Sequence, residues 1–257
     1  MTNRTGDRPR LSVVMIARDE ADRIGDALQS VQFADELIVA DTESRDNTVE
    51  IARSLGAKVY AVAFNGFGAT KQRALDYASG RWVLVLDADE RVTPALREEI
   101  ERVVAGEAKA LGYYIPRQAW FLGREMKHGG WARDRVLRLF MRDRGRFSTD
   151  AVHERVLVDG PVDSLNGYLE HHTDPNITHY LLKIDRYSTL GAEKIAKNPR
   201  KRTGMSITML HSLGTLVRML KRGMWRDGPE GVFLTVSSVY STFLRYWKAD
   251  RLRRMQG

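Results

Sequence analysis

The 257-residue chain contains no cysteine, which excludes disulfide staples, thiolate nucleophiles and Cys-type zinc centres and suits a reducing compartment. It also lacks any apolar stretch of the roughly eighteen residues needed to span a bilayer; even Val232 to Leu244 is shorter and is interrupted by Ser and Thr. Residues Met1 to Arg10 are polar and run directly into a short apolar segment. They offer no apolar core and no small-residue cleavage site of an export signal, so the chain is expected to remain cytoplasmic. The first apolar segment is followed by Ala17-Arg18-Asp19-Glu20. Without Gly-x-Gly-x-x-Gly there, the tight glycine turn of a dinucleotide pyrophosphate site is missing. The same residues lack the glycine-rich basic loop with which a nucleotidyltransferase would grip a triphosphate. Neither an internal repeat nor a low-complexity segment is present.

Acidic residues are scarce in one region only. Residues 194–257 carry 14 Lys/Arg against 3 Asp/Glu, whereas 1–193 carry 27 against 30, so the net charge of +8 belongs to the C-terminal quarter. A basic tail beside amphipathic helices points to anionic lipid head groups. Nucleic acid is the poorer fit and is not expected as a partner, because aromatic residues are not regularly interleaved with the basic ones.

What the chain does contain begins with alternation. Short apolar runs, Leu11 to Ala17, Glu36 to Ala40, Lys58 to Val62 and Arg81 to Leu86, are each followed by an amphipathic stretch: Glu20 to Gln32, Asp46 to Leu55, Ala69 to Ala78 and Pro94 to Val104. Four β-α repeats predict an α/β fold, a mostly parallel sheet with helices on both faces. From Gly112 to Pro161 the runs become shorter and irregular, with strands expected at Gly112 to Arg117, Val136 to Met141 and Val156 to Val158. Beyond Pro175 the pattern is helical: Ile177 to Ala196, then a stripe of Ile207, Leu210, Leu213, Val217, Leu220 and Met224 beside Arg218, Lys221 and Arg222, then a helix from about Gly231 to Arg251 after the Gly228-Pro229 break. A catalytic domain over 1–174 and a basic helical extension over 175–257 are therefore expected.

The run Trp82 to Glu90 is the most informative. It stops abruptly in Asp87-Ala88-Asp89-Glu90, as a buried strand does when it delivers carboxylates to the cleft at its carboxyl end. With a period of two, Asp87 and Asp89 would point the same way and could hold a hard divalent cation on a diphosphate. Asp41 ends the second run, where a carboxylate can accept hydrogen bonds from a ribose or a pyrimidine ring; Ser44 and Asp46 are expected to cap the following helix. A proton acceptor could come from Asp150, His153 or Glu154, with His153 read as an orienting residue. Trp120, Phe121 and Trp131 around Gly129-Gly130 read equally as a sugar-stacking loop or as packing against the sheet. His128, His179 and His211 have no ligand spacing.

Taken in order, Leu11 to Glu20, Asp41-x-x-Ser44-x-Asp46-x-Thr48, Lys71-Gln72-x-Ala74-Leu75 with Ala78-x-Gly80, and Leu86-Asp87-Ala88-Asp89-Glu90 make the chain resemble the family 2 glycosyltransferases of the GT-A fold. Val152-His153-Glu154, Leu169-Glu170-His171-His172 and Lys221-Arg222-Gly223-x-x-x-Asp227-Gly228 extend the likeness to lipopolysaccharide-core glucosyltransferases of the WaaE or KdtX type. The resemblance implies a nucleotide-sugar donor, UDP-glucose, held through Ala17, Glu20, Asp41, Lys71 and Asp87. It implies a divalent metal, Mg or Mn, on Asp89 with His171 or His172, and Glu154 as base with Asp150 the next candidate. It further implies an inverting transfer to a lipid-linked saccharide acceptor of the lipopolysaccharide inner core, or of another cell-envelope polysaccharide or glycolipid. That reaction would take place at the inner face of the cytoplasmic membrane.

Overall fold

The computed structural model of the chain describes residues 9–129, 134–148, 155–174 and 176–255. Two compact units emerge, Met1–Arg117 with Arg133–His171, and Gln118–Ala132 with His172–Gly257.

In the first unit, β1 (Leu11–Ala17), β2 (Glu36–Asp41), β3 (Lys58–Ala61) and β4 (Trp82–Val85) alternate with α1 (Ile24–Gln29), α2 (Thr48–Ser54) and α3 (Phe67–Asp76); β5 (Glu90–Val92) then leads into α4 (Pro94–Arg102). β3, β2, β1 and β4 lie side by side and parallel, with Ala17 level with Asp41 and Val14 level with Val85. The irregular region supplies β6 (Gly112–Phe121), β7 (Arg124–Glu125), β8 (Asp134–Met141), β9 (Gly145–Phe147), β10 (Val156–Val158), β11 (Val162–Ser164) and β12 (Leu169–Asp174). β8 runs antiparallel to β4 and to β6, and the start of β12 pairs antiparallel with β5. The α/β architecture expected from the alternation is therefore present, with an antiparallel half continuing the parallel one.

Strand periodicity divides the core between the two faces of the sheet. Val13 and Met15 pack with Ile24, Leu28, Leu96 and Ile100 of α1 and α4, whereas Val14 packs with Ala74 and Leu75 of α3 and with Phe140. Thr93 caps α4 by accepting from Leu96 N, and Pro94 occupies the first turn, where its missing N–H costs nothing. Gly80 is fixed by a close approach: a Cβ there would lie 2.6 Å from Ser12 Oγ and 2.7 Å from the backbone nitrogen of Ser12. Its own N–H donates to Ser12 Oγ at 2.8 Å, which aligns the entry of β4 beside β1.

The second unit contains α5 (Ile177–Ala196), α6 (Met205–Lys221) and α7 (Gly228–Arg254), with the end of β6 paired to β7. α5 matches the expected span and is capped by Asn176, whose side chain accepts from His179 N at 2.8 Å. α7 starts three residues before the expected Gly231 because Pro229 falls in its first turn instead of breaking it. Phe121, Met126, Tyr180, Ile184, Met224 and Leu234 form the core of this unit. Among the described residues no helix is long and apolar enough to cross a membrane.

Candidate functional site

β1, β2 and β4 end together at one edge of the first unit, the place where open α/β sheets bind ligands. The two β-α junctions there are tied to each other. Asp19 N donates to Ser44 Oγ at 2.9 Å, Arg45 N to Asp19 Oδ1 at 2.7 Å, and Ala21 N to Asp46 Oδ2 at 3.0 Å. Ser44 and Asp46 were expected to cap α2; Asp46 does so through Oδ1, which accepts from Thr48 N in the first turn at 3.0 Å while its Oδ2 holds the neighbouring loop, whereas Ser44 holds that loop alone. Asp19 (φ 54°) and Glu43 (φ 65°) both adopt left-handed backbone, uncommon for side-chain-bearing residues and concentrated at functional sites.

Asp41, the last residue of β2, is only 7% exposed. Its Oδ2 accepts from Ser44 N at 3.2 Å, while Oδ1 is buried without a hydrogen-bond partner. A buried, half-satisfied carboxylate is costly unless a ligand completes it. Ala17 lies opposite in the register, its carbonyl accepting from Thr42 N at 2.9 Å and Thr42 Oγ1 at 3.1 Å. Glu20 pairs with Arg23 at 2.5 Å, and its N–H donates to Thr48 Oγ1 at 2.7 Å.

β4 ends at Val85, so Asp87-Ala88-Asp89 lies in a turn and the period-two expectation fails. The two carboxylates engage different partners. Asp87 meets Lys71 Nζ of α3 at 3.0 Å and the guanidinium of Arg138 on β8. Burial works to raise the Asp87 carboxyl, but the charges of Arg138 and Lys71 outweigh it and hold it well below the usual carboxylate range. Asp89 Oδ2 lies 3.3 Å from His171 Nε2, each side chain 24% exposed. His172 is turned onto the Trp120 indole, ring centroids 5.5 Å apart, as the alternation along β12 requires.

Glu90 braces the turn from behind. It is fully buried; Oε2 accepts from Asp87 N at 3.0 Å, and Oε1 accepts from Arg138 at 2.7 Å and from Arg117 at 3.3 Å. Sequence reading missed Glu90, Arg117 and Arg138 as site residues, because Arg138 lies 51 positions from Asp87 and Arg117 lies 27 from Glu90. One signal was available: Arg138 interrupts an otherwise apolar run, Val136 to Met141, and a charge inside a strand needs a buried partner.

Asp89 and His171 provide one carboxylate oxygen and one imidazole nitrogen, and no group of three or more metal-ligating side chains exists among the described residues. Such a pair fits a divalent ion that keeps water and takes its remaining ligands from substrate phosphates. Asp150, His153, Glu154 and Trp131 lie outside the described residues. Phe121 is core, fully buried against Tyr180 and Phe233. His128, His179 and His211 contact Asp227, Asp174 and Tyr246 respectively. The tail pattern has a mechanical explanation. Gly223 (φ 72°) turns the chain out of α6, Arg222 O accepts from Gly129 N at 3.1 Å, and Asp227 accepts from His128 N at 2.9 Å, so the motif clasps the segment after β7.

The glycosyl transferase family 2 model matches residues 12–155. A lipopolysaccharide core biosynthesis glycosyltransferase, LpsC, of Rhizobium meliloti is 26% identical over 241 residues, covering 91% of this chain and 89% of its own. An uncharacterized glycosyltransferase of Rickettsia felis is 29% identical over 256 residues, 95% of this chain and 89% of its own. Among solved structures, glucosyl-3-phosphoglycerate synthase of Mycobacterium tuberculosis, in complex with Mn2+, UDP and glucosyl-3-phosphoglycerate, is 26% identical with 44% of each chain covered and a TM-score of 0.33. S. aureus TarS 1-349 is 13% identical, covering 96% of this chain and 92% of its own, with a TM-score of 0.46.

Proposed function

The chain belongs to glycosyl transferase family 2, and from that premise we propose an inverting, metal-dependent transfer of glucose from UDP-glucose to a lipid-linked saccharide of the lipopolysaccharide inner core, at the cytoplasmic face of the membrane. The observation that carries the donor side is that Asp41 ends β2 at the same edge of the parallel strands where the chain leaving β4 carries Asp87, paired with Lys71, and Asp89, paired with His171. The unpartnered Oδ1 of Asp41 accepts an N–H or O–H of the nucleoside. Asp87, ionised because Lys71 and Arg138 flank it, accepts from the ribose hydroxyls. Asp89 and His171 would hold a divalent ion, which when bound would supply neutralising charge for the departing diphosphate. Glu154, assigned by resemblance, accepts the proton of the acceptor hydroxyl from the side opposite the leaving group, with Asp150 as the competing candidate.

The acceptor class draws support from the full-length likeness to LpsC and from the way α6 packs. Thr208, Ser212 and Thr215 face inward, and Thr208 and Thr215 bond the carbonyls of Gly204 and His211. Leu210, Leu213, Val217 and Leu220 face outward, Leu210 64% and Leu213 59% exposed. An apolar stripe turned outward beside Arg218, Lys221 and Arg222 suits the interface of an anionic leaflet.

The decisive experiment is a panel of nucleotide sugars tested for thermal stabilisation with and without Mn2+ or Mg2+. UDP-glucose with metal is expected to raise Tm most. A larger shift with another nucleotide sugar would replace the donor assignment, and no shift with any of them would refute the site.

A further inference from the structure

Within the second unit, each end of α6 carries its own group of cationic side chains. The turn before α6 is fastened to α7 through its backbone: Arg253 donates to the carbonyls of Ile195 at 3.0 Å, Ala196 at 3.2 Å and Lys201 at 2.6 Å. Asn198 tightens the same turn, its side chain accepting from Arg200 N at 3.0 Å. The backbone is thereby fixed while Lys197, Arg200, Lys201 and Arg202 stand exposed. At the other end, Gly223 (φ 72°) leads into the turn Met224–Asp227, where Trp225 is 52% exposed and the Arg226 guanidinium lies 5.4 Å from its ring centroid. Lys221 and Arg222, next to that turn, are exposed as well. Among the described residues none of these cations is in an ion pair. The three acids of residues 194–257 are already engaged: Asp227 by His128, Glu230 by Arg124 and Asp250 by Arg254.

We propose that α6 lies flat in the plane of an anionic lipid leaflet, its apolar stripe in the interface and each end anchored to lipid phosphates by its own cationic group. The proposal rests on the leaflet reading above and adds to it the orientation of the helix and a second anchor at residues 197–202. The exposed apolar side chains run the whole length of α6, from Met205, 50% exposed, to Leu220, 48% exposed. A helix dipping in by one end would leave half of them in water, whereas one lying flat covers them all. Trp225 stands where the stripe gives way to cations, the level of an interface at which an indole buries its ring and keeps its N–H wet. Nucleic acid would use the cations but not the apolar stripe between them. At 17 residues α6 is about 25 Å long, more than twice the screening length of about 8–10 Å, so the two anchors act independently and the loss of one multiplies with the loss of the other.

The test is co-sedimentation of the full-length protein, at physiological ionic strength, with vesicles of phosphatidylcholine alone and of phosphatidylcholine with phosphatidylglycerol at about 3:1. Wild-type protein is expected to prefer the mixed vesicles by at least about tenfold. The variants Arg200→Gln/Lys201→Gln/Arg202→Gln and Lys221→Gln/Arg222→Gln/Arg226→Gln should each keep a native circular dichroism spectrum and lose at least about tenfold in affinity, and their combination about the product of the two losses. Brominated lipid in the mixed vesicles should quench the tryptophan fluorescence of the wild type, and Trp225→Phe should remove most of that quenching. Unchanged binding by the first variant would leave only the far end of α6 on the lipid and overturn the flat orientation. Tighter binding to a single-stranded RNA than to the mixed vesicles would give the cations to nucleic acid and overturn it too. Failure of the underlying leaflet reading has a different signature: wild-type protein would sediment with neither kind of vesicle, and the orientation would fall with it.

Discussion

Replacing Glu90 by Gln tests whether the acidic turn is held from behind. The side chain is fully buried and accepts three hydrogen bonds, two from guanidinium groups and one from Asp87 N. Gln has nearly the same shape but one acceptor oxygen, so its NH2 must face either a guanidinium or the Asp87 N–H, donor against donor. Hydrogen bonds to charged groups contribute about 1.5–3 kcal/mol each, so losing both sets an upper limit of about 6 kcal/mol. Arg138 keeps Asp87 and Arg117 keeps Asp134, so neither cation is stranded and the loss should fall near about 3 kcal/mol. Urea unfolding followed by tryptophan fluorescence would read this as a midpoint lowered by about 1.5 M, for a slope of about 2 kcal/mol per M. The same variant should weaken UDP binding by about tenfold, because Asp87 and Asp89 lose the brace that sets their turn. A midpoint within about 0.3 M of wild type together with unaltered UDP affinity would refute the reasoning.

Asp89→Asn replaces an anionic ligand with a neutral oxygen and is expected to abolish metal-dependent transfer while the circular dichroism spectrum stays native; near wild-type turnover would remove Asp89 from the site. Burial works to raise the Glu36 carboxyl, but hydrogen bonds from Ser12, Ser79 and Lys58 outweigh it and lower it from 4.5 to about 2. The folded value is the lower one, so Glu36 stabilises the fold above about pH 4.5, and that contribution of about 3 kcal/mol is lost as pH falls from 4.5 towards 2. Glu36→Gln should therefore be less stable at pH 7 and show a shallower acid limb in stability against pH, and an equally steep limb would count against the assignment. Charge reversal at Arg218, Lys221 and Arg222 should release the protein from anionic vesicles, each basic residue contributing about 1 kcal/mol near the leaflet. Retained sedimentation, with Leu213→Asp unfolding the protein, would instead make α6 an ordinary helical cap.

Local periodicity made the first hundred residues readable. Alternating β and α patterns, each ended by a polar junction, placed β1 to β4 and α1 to α4 close to where they lie. Pairings across the sheet left almost no trace in the sequence. Glu90 read as the last member of an acidic triplet, although its partners come from β6 and β8. Asp87 and Asp89 were assigned one direction from strand geometry, which no longer applies beyond Val85. The stripe of α6 was visible, but not that its Thr and Ser residues would turn inward, because a helical wheel states which residues share a face and not which face finds a neighbour. Met224 read as the stripe's last member and is instead fully buried in a 3-10 turn.

The second unit is assembled from two separated stretches of chain, and that discontinuity governs the order in which it can be made. Phe121 and Met126 leave the ribosome about fifty residues before Tyr180 and about a hundred before Leu234, their partners in one core. Until α7 has been synthesised, the hairpin of β6 and β7 has nowhere to bury its aromatic side, so it must wait exposed or shielded by a chaperone. Cutting the gene after residue 174 would make that waiting state permanent. The truncated product should be recovered in the insoluble fraction even though every strand of the parallel sheet is intact.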